Sequence, residues 1–299
     1  MKKILVFTLS EKQSAYEVGR LKEEAKKAGV VVEHYLYRQI GMNFNNKQSV
    51  VYLAGKKMDS SQYGGVWFRV AGTGSGKYIS ARNSLIRMLE KDGVFCVNAK
   101  SYLSWERMDK IKQHGVYVTN DIPVVATRVF YSKEQLLSST FNFPLVCKYA
   151  GGFQGKSVVK IDSREELEEF VEKKDEKNLG MYLWQDCLPT GWDLRVVIVG
   201  GRAIGAMKRS AVGAEFRSNY SLGGRVESWE MSNEERELAE RTAKVCGLDY
   251  GGIDIMKDED GNNYILEVNR ACQYKGFEKA TGINVAGKVL EMLIEDRVE

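Results

Sequence analysis

The chain has 299 residues, 43% of them hydrophobic and 28% charged, which suffices for two or three packed subdomains and is not typical of a disordered protein. Its net charge of +4 is spread along the sequence without a basic stripe, so nucleic acid is not an expected partner. Apolar runs such as 194–201 are too short to cross a bilayer, and the first residues lack a signal-peptide core. We therefore expect a cytoplasmic protein without membrane contact.

The first hundred residues alternate between strand and helix patterns. The predicted strands are 4–7, 30–32, 66–70 and 94–97, and the predicted helices are 15–28, stopped by Gly29, and a segment through Leu85 and Leu89. This rhythm predicts a small parallel sheet flanked by helices.

The remainder of the chain has an α+β pattern. Serines followed three residues later by Gln or Glu predict helix starts at Ser132, Ser163 and Ser232, and Gly247 ends the third helix. Predicted strands occupy 145–149, 157–161, 182–185, 194–199, 203–208, 252–256 and 264–269, and a last helix follows Asn284.

The numbers and positions of the cysteines and histidines limit which kinds of metal site and catalysis are expected. The five cysteines are odd in number and scattered, which favours reduced thiols over a disulfide framework or a zinc site. The two histidines, His34 and His114, are interpreted as packing or surface residues. Catalysis or metal ligation by histidine is therefore not expected.

Two glycine-rich stretches, 72–77 and 151–157, resemble a phosphate-binding P-loop, but Ala71 and Ala150 stand where that motif has its first glycine. The second stretch still suits phosphate binding, because a glycine-rich turn between strands leaves backbone amides open. Lys148 leads into it and is either a phosphate ligand or a solvated lysine. The first stretch is either a flexible surface loop or a substrate-facing loop beside Arg69.

The segment 252–269 reads as an antiparallel hairpin that carries two carboxylates and an amide. If Asp260 and Gly261 form a two-residue turn, Asp254 lies directly opposite Glu267, and Asn269 shares their face. Opposed like charges destabilise a sheet unless a cation lies between them, and these oxygen ligands suit Mg²⁺ or Mn²⁺.

Two other interpretations of the hairpin stay open at this point. It could be an ordinary exposed hairpin with acidic surface residues. It could also be a calcium loop, although Met256 occupies that loop's first ligand position and the flanking segments are predicted strands.

An ordered set of motifs resembles the ATP-grasp ligases, and within them the RimK group, which adds glutamate to protein or peptide termini. The set comprises Asp109 and Lys110, Lys148 with 151–155, 193–195, 207–209, 216–219, 223–224, Asp254, 267–269 and 276–284. Each motif is weak alone, but their order and spacing match from end to end.

The resemblance implies an ATP-grasp fold of mixed α/β and α+β character. Its parts would be an N-terminal pre-ATP-grasp α/β domain (1–105), a small α+β lid subdomain (106–185) and a C-terminal α+β core subdomain (186–299), with ATP between the two ATP-binding subdomains.

The resemblance also assigns roles to individual residues. Arg209, Arg217 and Asn219 would face the phosphates and the acyl phosphate and be catalytic; Asp254, Glu267 and Asn269 would hold two Mg²⁺ or Mn²⁺ ions; Arg69, Arg217 and Asn219 would face substrate. The remaining ATP contacts would be Lys110, Lys148, Gly151, Gly152, Gln154, Gly155, Gln185, Asp186, Cys187, Leu188 and Asp193, with 185–188 as the adenine hinge.

The implied activity is ATP-dependent amide formation between an amino-acid donor and an amine, peptide or protein acceptor. Related enzymes are often homodimers or homotetramers, so the resemblance leaves the oligomeric state open between these forms. The alternatives are a peptide macrocyclase acting on a precursor peptide and a non-catalytic nucleotide-binding scaffold. The chain departs from the family pattern at 270–275, where small residues, Pro and Gly are usual. This departure leaves the identity of the acceptor open, and Cys272 within it is interpreted as a packing residue.

Overall fold

The computed structural model describes residues 3–45, 49–69, 73–105, 108–152, 158–211 and 225–295. The N-terminal part contains β1 (Lys3–Thr8), α1 (Ala15–Lys27), β2 (Val32–Leu36), β3 (Ile40–Phe44), β4 (Ser49–Leu53), β5 (Lys56–Lys57), β6 (Tyr63–Arg69), α2 (Ile79–Lys91), β7 (Phe95–Cys96) and α3 (Ala99–Ser104). A parallel sheet of order β2-β1-β6-β7 forms its centre, which confirms the predicted sheet.

Two details of the N-terminal part differ from the prediction. Val30 does not begin a strand, because its amide donates to the Ala25 carbonyl at 2.8 Å and Gly29 ends the helix at φ 69°. The strand therefore starts at Val32. The small antiparallel sheet of β3, β4 and β5 was not predicted.

The middle part contains α4 (Lys110–Val118), β8 (Thr127–Arg128), α5 (Lys133–Ser138), β9 (Leu145–Tyr149), β10 (Val158–Ile161), α6 (Arg164–Glu172) and β11 (Tyr182–Asp186). The serine hydroxyls of Ser132 and Ser163 accept the amides of Gln135 and Glu166, which confirms both predicted helix starts. Strands in the order β10-β9-β11-β8 form an antiparallel sheet whose apolar face packs on α6 and α5.

The C-terminal part contains β12 (Trp192–Val199), β13 (Arg202–Ser210), β14 (Arg225–Trp229), α7 (Asn233–Cys246), β15 (Tyr250–Lys257), β16 (Asn263–Asn269), α8 (Lys275–Thr281) and α9 (Val285–Ile294). Its antiparallel sheet has the order β14-β13-β12-β15-β16. Because side chains alternate along a strand, Leu194, Val196 and Ile253 bury one face against α7, and the opposite face carries the polar residues of the candidate site.

Helix α9 connects the last part of the chain to the first. Val285, Val289 and Leu293 share one core with Ile4 and Trp67 of the N-terminal sheet. A Cβ on Gly65 would lie 2.7 Å from the Leu293 carbonyl oxygen, so only glycine allows this helix to approach β6 so closely. None of the helices in the described ranges has the length and apolar character needed to cross a membrane.

Candidate functional site

The hairpin of β15 and β16 places the predicted carboxylates together. Asp254 pairs directly with Glu267, and Gly252 pairs with Asn269, so all of these positions share one face. The predicted opposition of the two carboxylates is therefore confirmed. Asp254 is buried, whereas the Glu267 side chain keeps 31% of its surface exposed.

The loop and the strand pairing of this hairpin differ in two details from the prediction. Asp258 donates its amide to the Asn262 carbonyl, and Gly261 has φ 85°, so the loop has three residues and the predicted two-residue turn is wrong. A bulge at Leu266 inserts one extra residue into β16 and restores the pairing of Asp254 with Glu267.

Two buried arginines, one on β12 and one on β13, hold Asp254. Arg195 lies opposite Asp254 in the sheet and donates Nη2 to Oδ2 at 2.8 Å, with a second bond from Nε to Oδ1. Arg209 Nη2 lies 2.8 Å from the same Oδ2 atom, and Arg209 Nε donates to Asp193 Oδ1 at 2.6 Å. The four residues form an alternating row of charges on one face of the sheet.

The two arginines of this row determine the ionisation state of Asp254. Burial alone would raise the pKa of Asp254, but the guanidinium groups of Arg195 and Arg209 lower that pKa to about 2. Asp254 is therefore a carboxylate at neutral pH, and the two carboxylates of the row balance the charges of its two guanidinium groups.

Gly252 leaves the space that the Arg195 side chain of the charge row occupies. A Cβ at this position would lie 2.7 Å from Arg195 Cδ and 3.0 Å from Cys272 Cβ. Glycine is therefore required so that the Arg195 side chain can lie flat over β15 and reach Asp254.

Lys110 and Lys148 face this sheet from the middle part of the chain. Lys110, the first residue of α4, places Nζ 3.4 Å from Glu267 Oε2 and donates to the Gly152 carbonyl at 2.6 Å. The glycine turn at Gly151 and Gly152 is thus connected to the hairpin of β15 and β16 through Lys110. Burial lowers the pKa of the Lys148 ammonium to about 8, an effect that Lys110 increases and Glu267 opposes.

A chain of side-chain hydrogen bonds orients Lys148. Its ammonium donates to Gln185 Oε1, and the Gln185 amide nitrogen approaches Thr127 Oγ1 at 2.9 Å and His114 Nε2 at 3.3 Å. Because His114 Nδ1 lies 2.8 Å from the Lys110 carbonyl, which can only accept, the imidazole proton sits on Nδ1 and Nε2 accepts from Gln185. Gln185 thus uses its side chain to position Lys148.

The predicted hinge 185–188 lies at the end of β11. The backbone amides of Asp186 and Cys187 already donate to the carbonyls of Ala126 and Pro144, at 3.0 and 3.2 Å. Both side chains are half-buried, and burial raises the pKa of the Cys187 thiol. Asp193, by contrast, lies next to Arg209 in the charge row and not at the hinge.

Arg69 ends β6 and is fully buried. Its Nη2 donates to the Cys272 carbonyl at 3.0 Å and lies 3.8 Å from Glu17 Oε2, and its guanidinium carbon is 4.8 Å from the centre of the Trp67 ring. Within the described part of the chain, Nη1 of Arg69 has no hydrogen-bond partner. In a sheet of order β2-β1-β6-β7, Arg69 therefore lies beside the end of β1, where the strand order reverses.

Several predicted site residues cannot be placed. Gln154, Gly155, Arg217 and Asn219 lie outside the described residues. Sequence analysis in turn missed Arg195, His114 and Gln113, whose Oε1 accepts the Val268 amide at 2.8 Å and anchors β16. For Arg195 a signal was available, because it lies two residues after Asp193 on a predicted strand and so shares its face.

The oxygen donors of the hairpin fit a hard divalent cation. The described residues contain no cluster of three or more His, Cys, Asp and Glu side chains, so a site here would combine the two carboxylates with the Asn269 amide oxygen. Asn269 Oδ1 accepts the Ala271 amide at 3.0 Å, which holds that amide oxygen in place. Carboxylate oxygens that accept from arginine retain further lone pairs for a cation.

Comparison with known proteins covers nearly the whole chain. Residues 107–293 match the RimK-like ATP-grasp domain, and residues 3–102 match the RimK pre-ATP-grasp domain. Two curated relatives, both named probable alpha-L-glutamate ligase, are 30% identical. The one from Aeromonas salmonicida aligns over 95% of this chain and 94% of its own length, and the one from Maridesulfovibrio salexigens over 95% and 93%.

Solved structures share the fold at lower identity. The ATP-grasp ligase PsnB complexed with a phosphomimetic variant of a minimal precursor, Mg and ADP has a TM-score of 0.74 at 18% identity, covering 98% of both chains. The macrocyclase MdnC from Microcystis aeruginosa, bound with the precursor peptide MdnA, has a TM-score of 0.73 at 15% identity, covering 98% of this chain and 99% of MdnC. The ATP-grasp fold with an N-terminal pre-ATP-grasp domain is thereby confirmed.

Proposed function

The chain belongs to the RimK-like ATP-grasp family and is a ligase, and we propose that it joins an amino acid such as glutamate to an amine of a peptide or protein, with ATP and Mg²⁺. The observation that supports this most directly is the charge row of Asp193, Arg209, Asp254 and Arg195 beside Glu267 and two lysines. Such a surface suits a reaction between several anionic groups.

The proposed reaction activates a carboxylate as an acyl phosphate, which the amine then attacks to form the amide and release phosphate. Phosphoryl transfer needs positioning and charge neutralisation more than a covalent nucleophile. Lys110 and Lys148 would contact the nucleotide phosphates together with the turn 151–155. Arg209 would offset charge on the phosphoryl group, and we assign Arg217 and Asn219 to the same task.

Asp254, Glu267 and Asn269 would hold Mg²⁺, which we propose as two ions. Bound there, the cations supply positive charge that neutralises phosphate oxygens. The residues around them have separate tasks in this proposal: Arg195 and Arg209 keep Asp254 ionised, and Lys110 orients Glu267.

The adenine would lie against residues 185–188. Because the amides of Asp186 and Cys187 already donate to carbonyls, we assign hydrogen bonding with the base to the remaining backbone groups of Cys187 and Leu188. Gln185 would position Lys148 instead of contacting the base. We retain as a proposal the division of the chain into three parts at residues 105 and 185. In this division β11, which carries Gln185, ends the lid subdomain.

The ionisation of Lys148 should make kcat/KM for ATP depend on pH. Its ammonium is charged below its pKa of about 8 and neutral above it, so we expect kcat/KM for ATP to fall as the pH rises through about 8. A pH profile of kcat/KM measures this fall. The Lys148→Arg variant is the control, because its charge persists and the fall should move to higher pH; a flat wild-type profile through this range would contradict the assignment.

Cys272 should not be needed for chemistry. Its thiol is buried against Tyr250, whose hydroxyl lies 3.3 Å from Sγ, and burial raises the pKa of the thiol. We expect Cys272→Ser to retain most of the turnover, because serine fills nearly the same space and no step uses a thiolate. Loss of turnover without loss of folded protein would assign the thiol a role in the reaction.

Arg69 is our candidate for contacting a substrate at the N-terminal sheet. Its position at the carboxyl edge of β6 supports this role, as does its Nη1 atom, for which the described residues provide no hydrogen-bond partner. The same guanidinium also binds the Cys272 carbonyl, so it connects the N-terminal sheet to the segment that follows the metal hairpin.

The experiment that tests the function is ADP release with Mg²⁺ and ATP across a panel of amino acids and short peptides, with mass spectrometry of each mixture. A product heavier by one condensed residue supports the ligase. A product lighter by one water supports a macrocyclase, the activity named for MdnC. ATP binding without ADP from any pair, including acidic precursor-type peptides, would reject the ligase in favour of a nucleotide-binding scaffold.

A further inference from the structure

Asn98 is a buried asparagine in a left-handed backbone conformation. It lies between β7 and α3, its surface is 1% exposed, and its backbone has φ 62° and ψ 23°. This conformation costs free energy for residues other than glycine, although asparagine tolerates it better than most. It persists in a protein interior where the surrounding contacts hold it, so the contacts of Asn98 indicate what the residue does.

The side chain of Asn98 does not cap the helix that it precedes. Asn98 is the N-cap of α3, where an asparagine side chain normally accepts an amide of the first turn, but α3 donates no such bond to it. Instead, Oδ1 accepts the amides of Asp249 and Tyr250 at 2.8 and 2.9 Å. Nδ2 donates to the carbonyls of Tyr250 and Arg270 at 2.7 and 3.2 Å. Four backbone groups of the C-terminal part therefore use the full hydrogen-bonding capacity of this side-chain amide.

These bonds connect the two strand ends of the hairpin of β15 and β16. Tyr250 is the first residue of β15, and Arg270 directly follows Asn269, the last residue of β16. Asn269 pairs with Gly252, so Tyr250 lies two residues beyond the last pair of the hairpin. There Asn98 binds both the amide and the carbonyl of Tyr250, as a residue of a paired strand would. One side chain of the N-terminal part thus extends the pairing of β15 past the end of β16.

The same bonds fix the chain segment that orients the Asn269 side chain. The Ala271 amide donates to Asn269 Oδ1 at 3.0 Å. The carbonyl before this amide is bound by Asn98, and the carbonyl of the next residue, Cys272, accepts the Tyr250 hydroxyl at 2.8 Å. The hydrogen-bond donor of Asn269 therefore lies between two carbonyl groups that are held by Asn98 and by Tyr250, to which Asn98 is bound.

We propose that Asn98 is a positioning residue for the cation site, because it sets the orientation of Asn269 and thereby the affinity of the hairpin for Mg²⁺ or Mn²⁺. Asn98 acts through Asn269 and contacts neither cation nor substrate. The inference rests on the metal site of the proposed function. It also gives the N-terminal part, to which no nucleotide or metal contact is assigned, control over that site.

The variant Asn98→Gly tests the proposal, and the probe is Mn²⁺ alone, so that neither nucleotide binding nor turnover is needed. Glycine adopts the left-handed conformation without strain, so the substitution removes only the side-chain amide. Electron paramagnetic resonance of free Mn²⁺ gives the dissociation constant. We expect this constant to rise about tenfold or more, because loss of a group that orients a metal ligand typically lowers metal affinity by about 10- to 100-fold.

A second measurement reports the orientation of Asn269 in the metal-free protein. Hydrogen exchange resolved to single residues should show faster exchange of the Ala271 amide in Asn98→Gly, because the acceptor Oδ1 of Asn269 is no longer held against it. Leu53→Ala is the control. Leu53 is buried on β4 in a core formed by N-terminal residues, so its loss destabilises the same part of the chain without removing a bond of Asn98. This control should keep both the Mn²⁺ affinity and the protection of Ala271.

Glu267→Ala separates failure of this proposal from failure of the metal site. Weaker Mn²⁺ binding in Asn98→Gly and Glu267→Ala, with Leu53→Ala unaffected, supports the positioning role. If only Glu267→Ala weakens binding, or if exchange at Ala271 does not change, the positioning role is overturned and the metal site stands. If neither variant changes the affinity, the metal site is wrong and the positioning role falls with it.

A second substitution guards against an unfolded glycine variant. Asn98→Asp keeps the size and the accepting oxygen of the side chain but replaces Nδ2 with an oxygen that faces the carbonyls of Tyr250 and Arg270. It should raise the Mn²⁺ dissociation constant in the same way. Wild-type affinity in a folded Asn98→Asp variant would likewise overturn the proposal.

Discussion

Replacing Glu267 with alanine is expected to lower Mg²⁺-dependent turnover by about a thousandfold or more, a loss comparable to that of other groups that neutralise charge during phosphoryl or acyl transfer. Glu267 faces Asp254 across the hairpin, and its side chain is 31% exposed. Unlike Asp254, it accepts no hydrogen bond from the arginines of the charge row. Its loss therefore removes a proposed cation ligand while leaving the row intact.

The Glu267 variant should fold normally, which makes its kinetics interpretable. Lys110 loses a partner at 3.4 Å but keeps its 2.6 Å bond to the Gly152 carbonyl. Glu259→Ala, in the exposed loop of the same hairpin, is the control and should have wild-type turnover. Steady-state ADP release with titrated Mg²⁺ measures both variants. Wild-type kinetics for Glu267→Ala would refute the metal assignment.

Replacing Asp254 with asparagine is expected to lower the free energy of unfolding by about 3–5 kcal/mol, the range for breaking a buried ion pair. The variant leaves Arg195 without its carboxylate and Arg209 with Asp193 alone. Asparagine has the same size, so the loss reflects charge and not a cavity. Urea denaturation followed by circular dichroism measures the change.

The dependence on pH gives this second prediction an independent check. Because the pKa of Asp254 is lowered to about 2, its stabilising effect is complete above about pH 4, the pKa of an unfolded aspartate, and is lost as the pH falls toward 2. The difference in the free energy of unfolding between wild type and Asp254→Asn should therefore disappear as the pH falls from about 4 toward 2. Equal urea midpoints at neutral pH would show that the arginines do not depend on Asp254.

The hairpin shows how far local sequence reasoning extends. The opposition of Asp254 and Glu267 is confirmed, yet it was predicted from a two-residue turn that does not form, and the bulge at Leu266 compensates for the longer loop. The bulge is reflected in the burial pattern of β16. Ile265 and Val268 are both buried in one core although they are three residues apart, which strict alternation along a strand does not allow.

The charge row and the contacts of Arg82 and Arg270 with the Tyr102 ring were beyond local reasoning for a different reason. Arg195 meets Asp254 because β12 lies between β13 and β15, an order that the strand patterns do not specify. Arg82, Tyr102 and Arg270 come from three elements separated by up to 188 positions in the sequence, and only the packing of α2 and α3 against the end of β16 brings them together. Pairwise contacts of this kind depend on tertiary structure.

The position of α9 has a consequence for biosynthesis. The N-terminal sheet cannot complete this core until α9 has been translated, because Val289 and Leu293 share it with Ile4 and Trp67. During translation the nascent N-terminal segment must therefore persist with an exposed apolar surface while more than two hundred further residues emerge. The face of the N-terminal sheet that contacts α9 is accordingly completed only after α9 has been translated, whereas its other face packs against residues of the N-terminal part alone.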